Sequence, residues 1–579
     1  MKAFRYLSLL LLVALLGVSL AQLESVPRED TVIFDIDAST IVNPNNFNYL
    51  VPGTLRNQGA HQALWEPLFI LNYESGEIEP WLGESFEPNE SQDVWTLTLR
   101  EGIKWSDGEA FNADDVVFTI QTLLDDETGT LADAANMQQW VESVEKVDDL
   151  TTQFNLKGAN PRFQLDYFSV RIWGNIIILP EHVWADQDPF TFTNYDPEQG
   201  WPLGTGPYSL ASTGPNQIVW DRRDNWWGAE AGWKELPAPQ RLVWQITGSE
   251  ENKAQLMSNN QLDSLMNVTL GAFEAIQARN PNAEAWVQDL PYAWADPCPR
   301  QLTFNTQVEP WNDPNMRKAV SLIIDRNQII AVAYEGTSVP SSTIFVQYGG
   351  MEPYIDAVVE AGYGVSPEAD VEAGQALIEA AGWTLNGNTY EKDGQPLSVD
   401  IMVSNSSTEY TRTVDIVVEQ LRAAGINATS RPLESSTMDT SVQTGDFVAN
   451  YNWDSCASVN EPWASMNRYT TNFLVPMGTR AAGNNYIRWD TEAAEAYTEI
   501  VDQIGVMPLG DPEIVPMVVE AYGYIAEETP IIPLAQASKL VPFDTTYWTG
   551  WPTAENNYNH PATWWHSTHQ IIHNLEKAQ

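Results

Sequence analysis

Cysteine is nearly absent from this chain. Its 579 residues hold two, Cys298 and Cys456, and no C-x-x-C pair. A cysteine-built zinc site needs more ligands than that. Basic residues are also scarce, with 29 Lys and Arg against 78 Asp and Glu and a formal charge of −49. Such a surface repels phosphate backbones, so nucleic acid is excluded as a partner. Solubility, as in a salty habitat, is the plainest reason for the charge. No stretch beyond the N-terminal segment is apolar for the ~20 residues a membrane-spanning helix needs. There is no internal repeat and no low-complexity linker. G-x-S-x-G and Walker motifs are missing. The lone "GTGP" from Gly204 to Pro207 precedes a strand pattern, which excludes a dinucleotide helix start. With 78 acids, chance pairs of carboxylates carry no weight as a glycosidase signal.

What is present begins with a leader. Lys2 and Arg5 precede the apolar run "LSLLLLVALLGVSL", and Ser19-Leu20-Ala21 fits a small-x-small cleavage rule. A signal peptide over residues 1–21, cut after Ala21, implies export to the periplasm. No Cys follows the run, so no lipoprotein anchor is expected. In an oxidising compartment two cysteines favour one disulfide, Cys298–Cys456. A length of 579 residues implies two or three domains, and 43% hydrophobic residues suffice for large cores.

The first half mixes strands with few helices. Strand patterns occur at "TVIFDID", "VWTLTLREGIKW", "NIIILP", "NQIVWDR" and "RLVWQIT". After Cys298 strands and helices alternate, which predicts an α/β lobe. "RQLTFNT" reads as a strand, and "NMRKAVSLIIDRNQIIAVAYEG" as a helix broken near Asp325. "PLSVDIMVS" and "INATSRPLE" flank a helix ending at Gly425, and "AYGYIAEETPIIPLAQ" is a helix running into an extended segment.

The acidic stretch "WSDGEAFNADDVVFTI" could be read as a metal cage or as an acid/base pair. Its spacing instead predicts a turn at Asp107-Gly108 and a helix capped by Asn112. Asp115 sits at the reciprocal capping position, and Asp114 and Asp115 suit the helix dipole. The acid spacing of a calcium-binding loop is absent. His566, His569 and His573 lie at helical spacing, but with no cysteine nearby a metal face is not favoured.

Around this segment the chain resembles a family. "LWEPLF", "GEIEPWLGESFE" and "LREGIKWSDGEAFNADDVVFT" are similar to the extracytoplasmic solute-binding proteins of family 5, the dipeptide/oligopeptide-binding type that feeds ABC importers. "PLGTGPYSL", "LTFNTQVEPWNDPNMRKAVSLIIDRNQII", "LIEAAGW", "VVEQLRAAGI", "TGDFVANYNWDS" and "AEETPIIPL" follow in order. The resemblance implies an α/β, two-lobed periplasmic-binding-protein fold with an extra subdomain in the first lobe. It implies no chemistry and no cofactor. Ligand lies between lobes that close on it, and the closed form docks on an ABC permease. The expected organisation is a first lobe over 22–300 with the extra subdomain at about 60–200, a second lobe over 301–527, and a return to the first lobe over 528–579. A monomer is expected. Hinges are expected near "RQLTFNT" and "TPIIPL".

Peptide-binding members resemble W-x-x-D-Y followed by Pro at the Asp that clamps the ligand ammonium. Here "NWDSCASVNEPW" places Cys456 three residues after Trp453, or Ser458 when registered on Pro462. Asp454 could stand in only with a shifted geometry. Trp, with 24 residues, outnumbers Phe and Tyr. Indole faces suit sugar rings, and amides suit hydroxyls. The expected ligand is an oligosaccharide, held by Trp453, Asn450, Asn452, Trp463, Trp294, Trp548 and Trp551. The alternatives are an oligopeptide ligand, or a secreted acidic hydrolase acting on glycans.

Overall fold

The computed structural model describes residues 23–579 except 37, 39, 52–57, 74, 172–174, 454, 457 and 482–483. The leader at 1–21 and Asp454 lie outside the described residues.

Alternation builds the first sheet. Val32, Phe34 and Ile36 are buried along the strand Thr31–Ile36. This strand runs parallel to Arg241–Ile246, with Phe34 opposite Trp244, and Gln217–Arg222 and Tyr208–Thr213 continue the sheet antiparallel. A second sheet, wholly antiparallel, lies within the 60–200 segment. Its spatial order is Gly83–Pro88, Val94–Leu99, Thr151–Leu156, Val141–Lys146.

The helix Ala113–Leu124 starts as its residues dictate. Asn112 Oδ1 accepts from the Asp114 N–H at 2.7 Å, and Asp115 Oδ2 accepts from the Asn112 N–H at 3.0 Å. Asp115 also accepts from the Trp105 indole and the Glu181 N–H. The acidic cluster is thus a helix start. "NIIILP" forms no ladder. It lies buried beneath this helix, and the Leu179 N–H bonds to Thr119 Oγ1 rather than to a strand.

The third sheet has five strands, in the order Asn427–Leu433, Ser398–Ser404, Ala449–Asn452, Trp294–Phe304, Ile531–Lys539. The first three are parallel, and the last two join antiparallel. Helices Pro314–Ile323, Arg326–Val332 and Thr408–Ala423 pack on it, the first two separated at Ile324 and Asp325. Gly425, at φ +99°, ends the third helix in the left-handed turn that glycine allows.

Two main cores follow from these sheets. One joins Val32 through Trp244 to Val541 through Leu575, and the other joins Leu302 through Tyr451 to Ile532 through Ala535. We call them the first and second lobes. The long strands Trp294–Phe304 and Ile531–Lys539 carry the chain between them, side by side. Their register shifts between Asp296 and Gln301, which bows the outgoing strand at Cys298. A third cluster, with Trp294, Tyr354 and Tyr497 at its centre, packs second-lobe helices against Tyr73 and Leu165 of the first lobe.

Candidate ligand site between the lobes

In an open α/β sheet, the carboxyl ends of parallel strands face the ligand crevice. Here those ends are Ser404, Leu433 and Asn452, and the residue after the last is Trp453. Trp453 keeps 40% of its surface in solvent, unlike every other tryptophan among the described residues. Its ring lies 5.5 Å from that of Tyr410, at the start of the helix Thr408–Ala423.

Beneath this aromatic pair is a buried ionic knot. Arg300 Nε lies 3.2 Å from Glu409 Oε1, and its guanidinium stacks 5.1 Å from the Tyr410 ring and 5.7 Å from that of Trp453. Tyr334 and Tyr451 both donate to Glu409 Oε1, at 2.6 and 2.7 Å. Burial raises the Glu409 carboxyl, but Arg300 and the two hydroxyls outweigh it and hold it below its ordinary value. A knot with this many partners fixes the platform it carries. None of Arg300, Glu409, Tyr334, Tyr410 and Tyr451 was flagged by sequence. The one available cue was Arg300 two residues after Cys298.

The expected site residues separate. Strand alternation turns Asn450 and Asn452 to the opposite sheet face from Tyr451. Asn452 Nδ2 bonds to Asn450 Oδ1 and, at 3.0 Å, to Thr303 Oγ1, so the amides serve each other and the neighbouring strand. Trp294 is buried between Tyr348 and His560, stacked on both. Trp463 packs in the cluster between the lobes, with Arg162 over its ring at 5.1 Å. Trp548 and Trp551 lie in the first core. Trp548 is fully buried and donates to the Thr31 carbonyl at 3.0 Å, and Trp551 stacks on Phe543 with centroids 4.5 Å apart. Both hold the C-terminal return in the first core. An aromatic count alone does not separate such packing residues from a platform.

Cys298 and Cys456 are disulfide-bonded. The bond ties the bowed crossing strand to the loop after Trp453. At both candidate positions for an ammonium clamp there is no carboxylate. Cys456 is spent in the disulfide, and Ser458 is buried, bonded to Pro462 O at 3.0 Å and to the Ser465 N–H at 2.9 Å.

The lobes touch on the far side of this loop. Arg162 pairs with Glu461 at 3.1 Å and donates to the Gly505 carbonyl at 2.7 Å. Asn460 donates to the Gly76 carbonyl at 3.1 Å. A cavity of about 220 Å³ remains between the lobes, with Asn267 and Thr269 on one wall, Ser407 and Glu409 on the other, and Lys539 at the crossing strand. A larger groove of about 810 Å³ is lined by the second lobe alone, between helices Pro314–Ile323 and Ile514–Glu528.

A serine-type hydrolase would need a nucleophile with a base. Ser567 Oγ lies 2.5 Å from His560 Nε2, but His560 Nδ1 accepts from the Ala562 N–H at 3.1 Å. The ring proton is therefore on Nε2 and is donated to Ser567, the reverse of nucleophile activation. Burial pushes His560 down to about 3, which keeps it neutral. His566 and His569 both donate from Nε2 to the Trp65 carbonyl, and burial lowers both. Among the described residues no group of three or more His, Cys, Asp or Glu is placed to hold a metal.

These features define a two-lobed binding protein. The model of "Bacterial extracellular solute-binding proteins, family 5 Middle" matches residues 77–473, and the chain belongs to that family. The nickel-binding periplasmic protein of Escherichia coli is 25% identical over 441 residues, 73% of this chain and 74% of that protein. A periplasmic oligopeptide-binding protein of Thermotoga maritima superposes with a TM-score of 0.83 at 23% identity, covering 95% of this chain and 100% of that one. The same Thermotoga protein with mannohexaose bound superposes at 0.76, over 96% and 99% of the chains, again at 23% identity. Family members are extracytoplasmic binding proteins of ABC importers. Among the described residues no helix is long and apolar enough to cross a membrane.

Proposed function

We propose that this protein captures an oligosaccharide between its lobes and presents it to the permease of an ABC importer, without chemical change. The observation that carries the reading is Trp453, an indole left half in water at the strand ends and braced by Tyr410 and Arg300. A flat apolar face suits the C–H face of a sugar ring. The lack of a carboxylate at Cys456 and Ser458 removes the partner that a peptide ammonium would need. The mannohexaose complex of a structural neighbour supports a glycan ligand for this fold. The expected path is leader cleavage after Ala21, capture in the periplasm, and closure about the two crossing strands.

Calorimetry against cello-, xylo- and manno-oligosaccharides and against a peptide panel tests the reading. A glycan returned unaltered after binding is expected. Micromolar peptide binding with no response to any glycan overturns it, and turnover of a glycan restores the hydrolase alternative.

A further inference from the structure

A second cavity, of about 340 Å³, is lined by first-lobe side chains alone and shares none of them with the cavity between the lobes. One part of its wall is built to accept hydrogen bonds. Glu79 accepts from Asn72 Nδ2 and from Gln570 Nε2, each at 2.7 Å. A carboxylate only accepts, so the Gln570 amide must turn its nitrogen to Glu79 and its oxygen away. Gln570 is 8% exposed, and that oxygen has no hydrogen-bond partner. Buried polar atoms are rarely left so.

The other part of the wall donates. The Lys234 ammonium rests on ring faces, 5.0 Å from the Trp81 centroid and 5.1 Å from that of Trp233, and burial lowers its pKa. It forms no ion pair with a carboxylate among the described residues. Arg100 lies 4.6 Å over the Trp233 ring, with Glu84 no nearer than 3.8 Å. Two cations thus share this cavity with one carboxylate of its wall, Glu79, which favours the Lys234 ammonium, and with Glu84 beyond Arg100. The Trp233 ring and one face of Trp81 are already in use. Trp233 carries Trp227 on its ring at 4.9 Å and the cations besides, and Trp81 carries Lys234.

We propose that this cavity is a second binding site, for a small zwitterion of the α-amino acid class. The ligand carboxylate meets Lys234 and Arg100, and its ammonium meets Glu79 and the free oxygen of Gln570. A sugar is disfavoured by the covered rings, and a simple anion by Glu79. The site is independent of whatever the cleft holds.

Titration calorimetry on the intact mature protein tests this with glycine, alanine and glutamine. Acetate, methylamine and glucose serve as single-function probes. Saturable binding of an α-amino acid is expected, weakened roughly tenfold or more in Lys234→Met and in Gln570→Leu. Lys234 is partly exposed, so its variant is expected to fold even where Gln570→Leu does not. Trp453→Ala should leave this binding unchanged, which separates it from the cleft. No binding of any amino acid at millimolar concentration overturns the proposal. So does equal binding by wild type and Lys234→Met, or acetate or glucose binding as tightly as the amino acids.

Discussion

Arg162 Nε and Glu461 Oε2 lie 3.1 Å apart with almost no solvent on either, and they join the first lobe to the loop that follows Trp453. Glu461 also accepts from the Trp463 and Ala464 N–H groups, so the same carboxylate shapes that loop and pairs across the lobes. Breaking a buried pair from one side strands the other charge, at roughly 3–5 kcal/mol. Arg162→Met should therefore lower the urea midpoint and leave the liganded protein more open in small-angle scattering. Adding Glu461→Gln should recover part of the loss. An unchanged midpoint and radius in the single variant would show that the pair does not hold the lobes together.

The disulfide spans 158 residues, so it contributes roughly 3–5 kcal/mol in the chain-entropy model. Reduction, or Cys298→Ser with Cys456→Ser, should cost stability of that order. It should also weaken ligand binding, because the loop after Trp453 loses its tie to the crossing strand. Thiol labelling of unreduced, denatured protein should find no free thiol.

Trp453→Ala should cost ~1–3 kcal/mol of affinity with little change in melting temperature. Trp548→Ala should do the reverse, costing about 3–5 kcal/mol of stability through the first core. Glycan binding should depend little on salt, since no ion pair to the ligand is central. If both variants bind ligand as wild type does, the platform is misassigned.

Burial holds His560 at about 3 and His566 at about 4, below the ordinary value of 6.5. Below pH 6.5 the unfolded chain takes up protons that the folded chain refuses. Their contribution is whole above pH 6.5 and is lost as pH falls toward 4, at up to about 1.4 kcal/mol per unit for each. Asp263, raised by burial to about 6 despite Arg28, acts in the opposite sense, so total stability is a poor readout. The difference is cleaner. His566→Gln should flatten the fall in stability between pH 7 and pH 5 by about 1–2 kcal/mol. Parallel curves for variant and wild type would count against a buried neutral ring.

Local order was legible where one rule governed. The helix at Ala113 was announced by Asn112 and Asp115, and the strand Ser398–Ser404 by alternation at Val399, Ile401 and Val403. "NIIILP" misled, because a buried extended segment and a buried strand share one composition and differ only in where their N–H groups bond. The site was legible only in part. Trp453 and the cysteines lie close in sequence to one another or to a motif. Arg300, Glu409 and Tyr334 meet only after the sheet has formed, and no spacing announces them. Trp548 looked like Trp453 on paper, since composition records what a residue is and not which way it points.

The two crossing strands have a consequence for descent. Thr303 sits opposite Ile531 in the ladder, so everything between them enters and leaves through adjacent positions, about 5 Å apart. To the first lobe, the whole second lobe is one insertion closed at its base. A recombination that exchanged this cassette between relatives would have to match one pair of neighbouring strands and the inter-lobe contacts at Arg162–Glu461 and Asn460–Gly76. A lineage could in this way acquire a new strand-end platform, and with it a new diet, while keeping unaltered the first core into which the C-terminal return packs.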